Sequence, residues 1–110
     1  MQKITTYPHS FKLHGVEIEL NKNMMRRIDA KGIEGKLSLV GDVTGAAFSE
    51  TCDEWAVAVK YKEGTYVISK KSGWFGPFEA VDDIAFDEKK GISVVAGKLN
   101  GKAGKHSLTR

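Results

Sequence analysis

Few residues in this chain of 110 could do chemistry, and their spacing limits what each could do. Gly101-Lys-Ala-Gly-Lys-His has the outline of a phosphate-cradling loop. A Walker loop ending in Gly104-Lys105 needs Gly at 99 and Ser or Thr at 106, but Leu99 and His106 stand there. The hydroxyl that would hold magnesium is missing, so the stretch reads as a solvated hairpin. Cys52 is the single cysteine. It would be a nucleophile only with His9, His14 or His106 beside it, because a thiolate needs a nearby base or positive end. Its helical spacing with Phe48 and Trp55 reads instead as a core thiol. One cysteine and three histidines could supply four zinc ligands by number, yet no two have the close spacing of a structural site. No metal and no cofactor is expected.

The carboxylates come as neighbours: Glu17/Glu19, Asp53/Glu54, Asp82/Asp83 and Asp87/Glu88. Acid–base catalysis needs two carboxyls in different environments across a cleft. Glu17 and Glu19 alternate on the exposed face of a strand, and the later acids suit the wet side of a helix. Only Asp53-Glu54, just before Trp55, stays in view. No catalytic constellation emerges, which points to a non-catalytic binding module.

The most informative stretch is Lys70-Lys71-Ser72-Gly73-Trp74-Phe75-Gly76-Pro77-Phe78. Two large aromatics sit between glycines in a connection, where function concentrates. Trp74 and Phe75 read as anchors for a protein partner, with Lys70 and Lys71 as rim charges steering an acidic surface. The alternative for the same rings is that they fold back to roof the core. A second function is sequence-tolerant nucleic-acid binding through Lys60, Lys62, Lys70, Lys71 and Trp74 with Lys98, Lys102 and Lys105. A third is a small-ligand binder or minimal hydrolase, with a cavity lined by Phe48, Cys52 and Trp55.

Trp55-Ala-Val-Ala-Val, Gly64-Thr-Tyr-Val and Trp74-Phe-Gly-Pro-Phe, with the acidic segment that follows, span roughly a third of the chain. Together they are similar to the three-stranded-sheet DNA-binding domain of plant ethylene-response factors and phage homing endonucleases. The resemblance implies a sheet entering a helix through an aromatic–glycine step, and contact with DNA. That family reads DNA with arginines on its sheet, whereas residues 53–78 contain none. The stretch from Thr65 to Trp74 is also longer than the family pattern.

Composition narrows the setting. Hydrophobic residues make up 41% and charged residues 28%, which argues against disorder. The net charge of +3 comes almost wholly from lysine, since only Arg26, Arg27 and Arg110 are arginines. A dedicated duplex-DNA reader would carry a stronger, arginine-rich field. One cysteine allows no internal disulfide, which suits a reducing cytoplasm. No apolar run reaches the roughly 18–20 residues that span a bilayer, so a soluble cytoplasmic chain with no membrane contact is expected.

The elements that must position these residues read as a single domain over 1–110, without internal repeats. A hairpin turns at His14-Gly15, with Val16, Ile18 and Leu20 inward. Asn21-Lys22-Asn23 offers a cap for a short helix carrying Met24, Met25 and Ile28, although a strand fits the same residues. Lys36 to Val43 reads as a strand with Leu37 and Leu39 inward, and 44–53 as a loop with a helical turn. Trp55–Tyr61 and Thr65–Lys71 form a hairpin with two possible registers. A tight turn at Glu63-Gly64 sets Tyr61 against Tyr66; a bulged turn sets Val59 against Val67. The tight turn separates the faces better and is preferred. Pro77, Glu79 and Lys89-Lys90-Gly91 punctuate a helix over 78–90, with Phe78, Val81, Ile84 and Ala85 as its stripe. A last hairpin turns at Asn100-Gly101, its return strand fraying into a basic tail from about 98. The expected fold class is α+β, a mostly antiparallel sheet built from β-hairpins with one or two helices packed on one face. An orphan edge strand would also allow a homodimer.

Overall fold

The protein is all-β: among the described residues every regular element is a strand. The computed structural model describes residues 1–50, 54–71 and 73–108, so the expectations for Cys52, Asp53 and Ser72 lie outside the described residues. In chain order the strands are β1 (Gln2–Lys3), β2 (His9–Leu13), β3 (Val16–Asn21), β4 (Met24–Ile28), β5 (Glu34–Ser38) and β6 (Asp42–Phe48), followed by β7 (Trp55–Tyr61), β8 (Gly64–Ser69), β9 (Gly73–Phe78), β10 (Ala80–Asp87), β11 (Ile92–Leu99) and β12 (Lys102–Leu108). They form three antiparallel sheets: a front sheet β2-β3-β4-β5, a central sheet β1-β6-β7-β8-β9 and a rear sheet β10-β11-β12.

The central sheet is covered on both faces. Val43, Ala46, Val57, Val59 and Ile68 pack against Val16, Ile18, Leu20 and Met25 of the front sheet. On its other face Ala47, Ala56, Ala58 and Val67 pack against Ile84, Val95 and Leu108 of the rear sheet. Burial on both faces explains why Trp55-Ala-Val-Ala-Val is a near-continuous apolar run, while β3, covered once, alternates with glutamates. Complete burial of a side chain such as Ile18 or Ile84 contributes about 1.5–3 kcal/mol. Small alanines on the rear-facing side also let two sheets approach closely.

Both expected helices are corrected to strands. Residues 24–28 form β4, with Met25 and Arg27 on the face toward the central sheet and Arg26 paired to Glu34 on the outside. Residues 80–87 form β10, paired along its length with β11. The helical signal there came from a β-bulge. Val81 opposes Gly97 and Asp83 opposes Ala96, leaving Asp82 as the extra residue. One extra residue turns the two-residue spacing of a strand into three, so Val81 and Ile84 share a face as they would on a helix. The Lys89-Lys90-Gly91 stop is a turn, in which the Asp87 carboxylate accepts from the Lys89 and Lys90 amides at 3.1 and 3.2 Å. Thr44 is the matching extra residue in β6, between Val43 and Gly45, which hid that strand in a segment read as a loop.

The turns at His14-Gly15 and Asn100-Gly101 stand where expected, with φ positive at all four residues. The β7–β8 turn falls at Lys62-Glu63, not at Glu63-Gly64: Tyr61 opposes Gly64, Val59 opposes Tyr66 and Val57 opposes Ile68. The separation of faces expected from the tight turn holds, shifted by one residue in the turn itself. Gly64 serves close packing here, since a Cβ on it would lie 2.5 Å from Pro77 Cβ.

The expectation of no repeat is also corrected. Pairs Val43/Val59, Phe48/Trp55 and Tyr61/Gly64 recur as Val81/Gly97, Phe86/Ser93 and Leu99/Lys102, each 38 residues on. The bulge recurs too. Side chains repeat at Val43/Val81, Ala47/Ala85, Phe48/Phe86, Glu50/Glu88, Ala58/Ala96, Lys60/Lys98 and Ser69/Ser107. Most other positions differ between the two units, which hides the signal in the sequence.

Candidate functional site

An aromatic row crosses three strands at the rim of the central sheet. Tyr61, Tyr66 and Trp74 lie on the face directed at the front sheet, because Val59 pairs with Tyr66 and Ile68 with Trp74. Tyr61 and Tyr66 have ring centroids 6.2 Å apart, and Tyr66 meets Trp74 edge to face at 5.4 Å. The front sheet covers Val57, Val59 and Ile68, but Trp74 keeps 42% of its surface exposed. Lys62 Nζ stands 5.3 Å from the centre of the Tyr61 ring. Beside this row an open groove of about 670 Å³ is lined by Tyr61, Lys62, Glu63, Tyr66, Pro77 and Glu79 among others. A row of tilted rings with Trp74 exposed, Tyr61 and Tyr66 half-buried and one cation can bury a partner's apolar segment and place one charge at its edge.

The expected anchors part company. Trp74 faces the front sheet, whereas Phe75, next along the strand, packs on the rear core. Alternation along β9 imposes this, so only Trp74 is offered to a partner. Lys70 is exposed and its amide donates to the Trp55 carbonyl at 3.1 Å. Lys71 reaches the β10–β11 turn, its Nζ 3.5 Å from where a Cβ on Gly91 would sit. Tyr61 and Tyr66 were the members missed; their parity with Val59 and Ile68 was the signal that could have found them.

Lys60, Lys62, Lys98, Lys102 and Lys105, weighed for nucleic acid, come from β7, the β7–β8 turn, β11 and β12. Lys60 is exposed at the end of β7 and Lys62 lies in the following turn beside Glu63. Lys98 is 4.0 Å from Glu79, Lys102 starts β12, and Lys105 shares the rear sheet's outer face with Asp83 and Asp87. The segment expected to be a helix by resemblance to the DNA-binding family is β10. His9 contacts Gln2 at 3.1 Å and His106 contacts the Lys102 carbonyl at 3.1 Å, in separate sheets. Among the described residues no three His, Cys, Asp or Glu side chains are grouped to hold a metal. Phe48 and Trp55, weighed as cavity lining, pack on the front core, Phe48 against Phe11 with centroids 5.4 Å apart.

Among the described residues four titrating groups are shifted: Glu34, Asp83, Tyr7 and Arg26, the last raised by its hydrogen bond to Glu34. Hydrogen bonding to Arg26 at 2.7 Å holds the Glu34 carboxyl below its ordinary range. The amino terminus, 3.1 Å from Asp83, does the same there. Burial, with Asp42 nearby, pushes the Tyr7 hydroxyl up while it donates to the Val43 carbonyl. Arg27 is the odd group: its Nε is buried with no hydrogen-bond partner.

No family model, curated protein or solved structure matches the chain. Among the described residues no helix is long and apolar enough to cross a membrane.

Proposed function

We propose that this chain is a small non-catalytic binding module acting through a protein partner, with Trp74, Tyr66 and Tyr61 as the contact row. The observation that carries this reading is the exposed Trp74 ring held edge to face on Tyr66 at the rim of a doubly covered sheet. Binding energy concentrates on Trp and Tyr fixed in place before contact, because little side-chain freedom is then lost. The partner supplies an apolar segment for the row and an acidic flank for Lys62, with Lys70 further along the rim. A single cysteine fits a cytoplasmic setting.

The test compares immobilised wild type with Trp74→Ala and Tyr66→Ala variants as baits in cell extract, beside labelled single- and double-stranded oligonucleotides in solution. Proteins retained by wild type and lost from both variants are the expected result. Salt-sensitive oligonucleotide binding, with no protein lost from either variant, would replace this reading with nucleic-acid binding.

A further inference from the structure

The 38-residue repeat assigns a use to the exposed face of the rear sheet. Its members Ala85, Val94, Ala96 and Lys105 stand 38 residues beyond Ala47, Ala56, Ala58 and Val67, in the same strands and register. In the central sheet those four residues are covered by the rear sheet, with exposures of 8%, 0%, 1% and 0%. The rear sheet therefore bears Ala85 and Ala96 outward where its neighbour uses Ala47 and Ala58 to receive a sheet, with Val94 in place of Ala56 and Lys105 in place of Val67. An open groove of about 590 Å³ crosses that face, lined by Ala85, Val94 and Ala96 between Asp83 and Lys105. The direction is the same throughout the stack: Val16 and Ile18 face the central sheet, Ala56 and Ala58 face the rear sheet, and Val94 and Ala96 face outward.

The opposite end is built differently. The outer face of the front sheet carries Ser10, Glu17, Glu19, Arg26 and Ile28 in place of a continuous apolar surface. Its Glu17 and Glu19 are opposite in charge to Lys105 on the rear sheet's outer face. We infer that the rear sheet's exposed face seats the front sheet of a second copy, and that two chains close head to tail into one ring of six sheets. Strands β2, β6 and β10 of neighbouring sheets lie near one another, with Phe11 of β2 on Phe48 of β6, β6 and β10 lining one groove, and β1 paired on the outer edge of β6. Such an arrangement turns sheets about an axis, and closed rings of roughly four to eight sheets are the known outcome. A head-to-tail contact that did not close would instead grow without limit.

The experiment is sedimentation velocity with light scattering on the full chain, from micromolar to near-millimolar concentration. A species of twice 12.1 kDa is expected, with nothing larger. Ala96→Arg on the rear face and Glu17→Lys/Glu19→Lys on the front face each give a monomer with unchanged circular dichroism. Lys105→Glu weakens the pair, and combining it with Glu19→Lys restores it. A wild-type monomer at every concentration overturns the proposal. So does a pair broken by Ala96→Arg but indifferent to the front-face changes, since that describes two rear sheets meeting. Growth past two chains overturns closure of the ring.

Discussion

Tyr66 and Trp74 meet edge to face across β8 and β9, centroids 5.4 Å apart and planes inclined by 65°. Ile68, paired directly with Trp74, is only 6% exposed beneath the front sheet, so the tryptophan lies where that cover ends. The central sheet thus supplies rigidity from its buried part and contact surface from its rim.

Truncating the two neighbouring aromatics should separate contact from packing. Trp74→Ala loses the ring pair and the covered part of a ring that is 42% exposed, lowering stability by about 1–3 kcal/mol. Partner affinity should fall at least roughly tenfold, as for a hot-spot tryptophan. Phe75→Ala opens the rear core and costs about 3 kcal/mol, with affinity of the folded fraction nearly unchanged. Urea denaturation alongside binding titration reads both.

Glycines that admit a neighbouring strand should resist alanine, unlike one in open space. A Cβ at Gly97 would come 2.1 Å from the Ala80 carbonyl oxygen, and at Gly64 2.5 Å from Pro77 Cβ. Gly64→Ala should cost about 1–3 kcal/mol and Gly97→Ala at least as much, because backbone gives way less readily than a side chain. Gly35→Ala meets nothing within 4 Å and should be neutral or stabilise by about 0.5 kcal/mol. Thermal denaturation of the three variants gives the order.

Arg27→Met should stabilise the fold by about 1 kcal/mol. The arginine leaves a buried Nε without an acceptor, and an unmet buried donor costs about 1–3 kcal/mol. Methionine keeps most of the aliphatic packing and removes that donor. A melting temperature unchanged or lowered would show that the guanidinium contributes more through its stem than it loses at Nε.

Stability should fall on acidification below the ordinary carboxylate range. Asp83 and Glu34 have folded-state values lowered by the amino terminus and by Arg26, respectively. Their contribution is present above the unfolded values and is lost as pH falls through the folded ones. Both carboxyls are exposed, so the loss is modest and salt reduces it further. Asp83→Asn/Glu34→Gln should flatten the melting-temperature profile between neutral pH and pH 2 without moving its alkaline arm. On that arm the raised Tyr7 value acts in the opposite sense: stability present below the unfolded value is lost as pH rises through the folded one.

Local chemistry was enough for part of this architecture. The alternation Val16-Glu-Ile-Glu-Leu20 determined a strand covered on one face. His14-Gly15 and Asn100-Gly101 determined two turns, because only residues that tolerate positive φ can close so tight a hairpin. The apolar run from Trp55 to Val59 determined a strand, though not that it is covered on both sides. These signals depend on neighbours in sequence, and they survived.

Tertiary structure decided the rest. Met24–Ile28 and Ala80–Asp87 carry residues compatible with either a helix or a strand, and pairing with β3, β5 and β11 selected the strand. The extra residues Thr44 and Asp82 shifted the apolar period by one, which only the partner strand reveals. Gly64 left the turn because β9 needed its empty space, and the same sheet sent Trp74 to one face and Phe75 to the other. The physical reason is common to all of these: in a sheet the hydrogen-bonding partner lies far along the chain, so spacing within a segment cannot say what it pairs with or which face is covered.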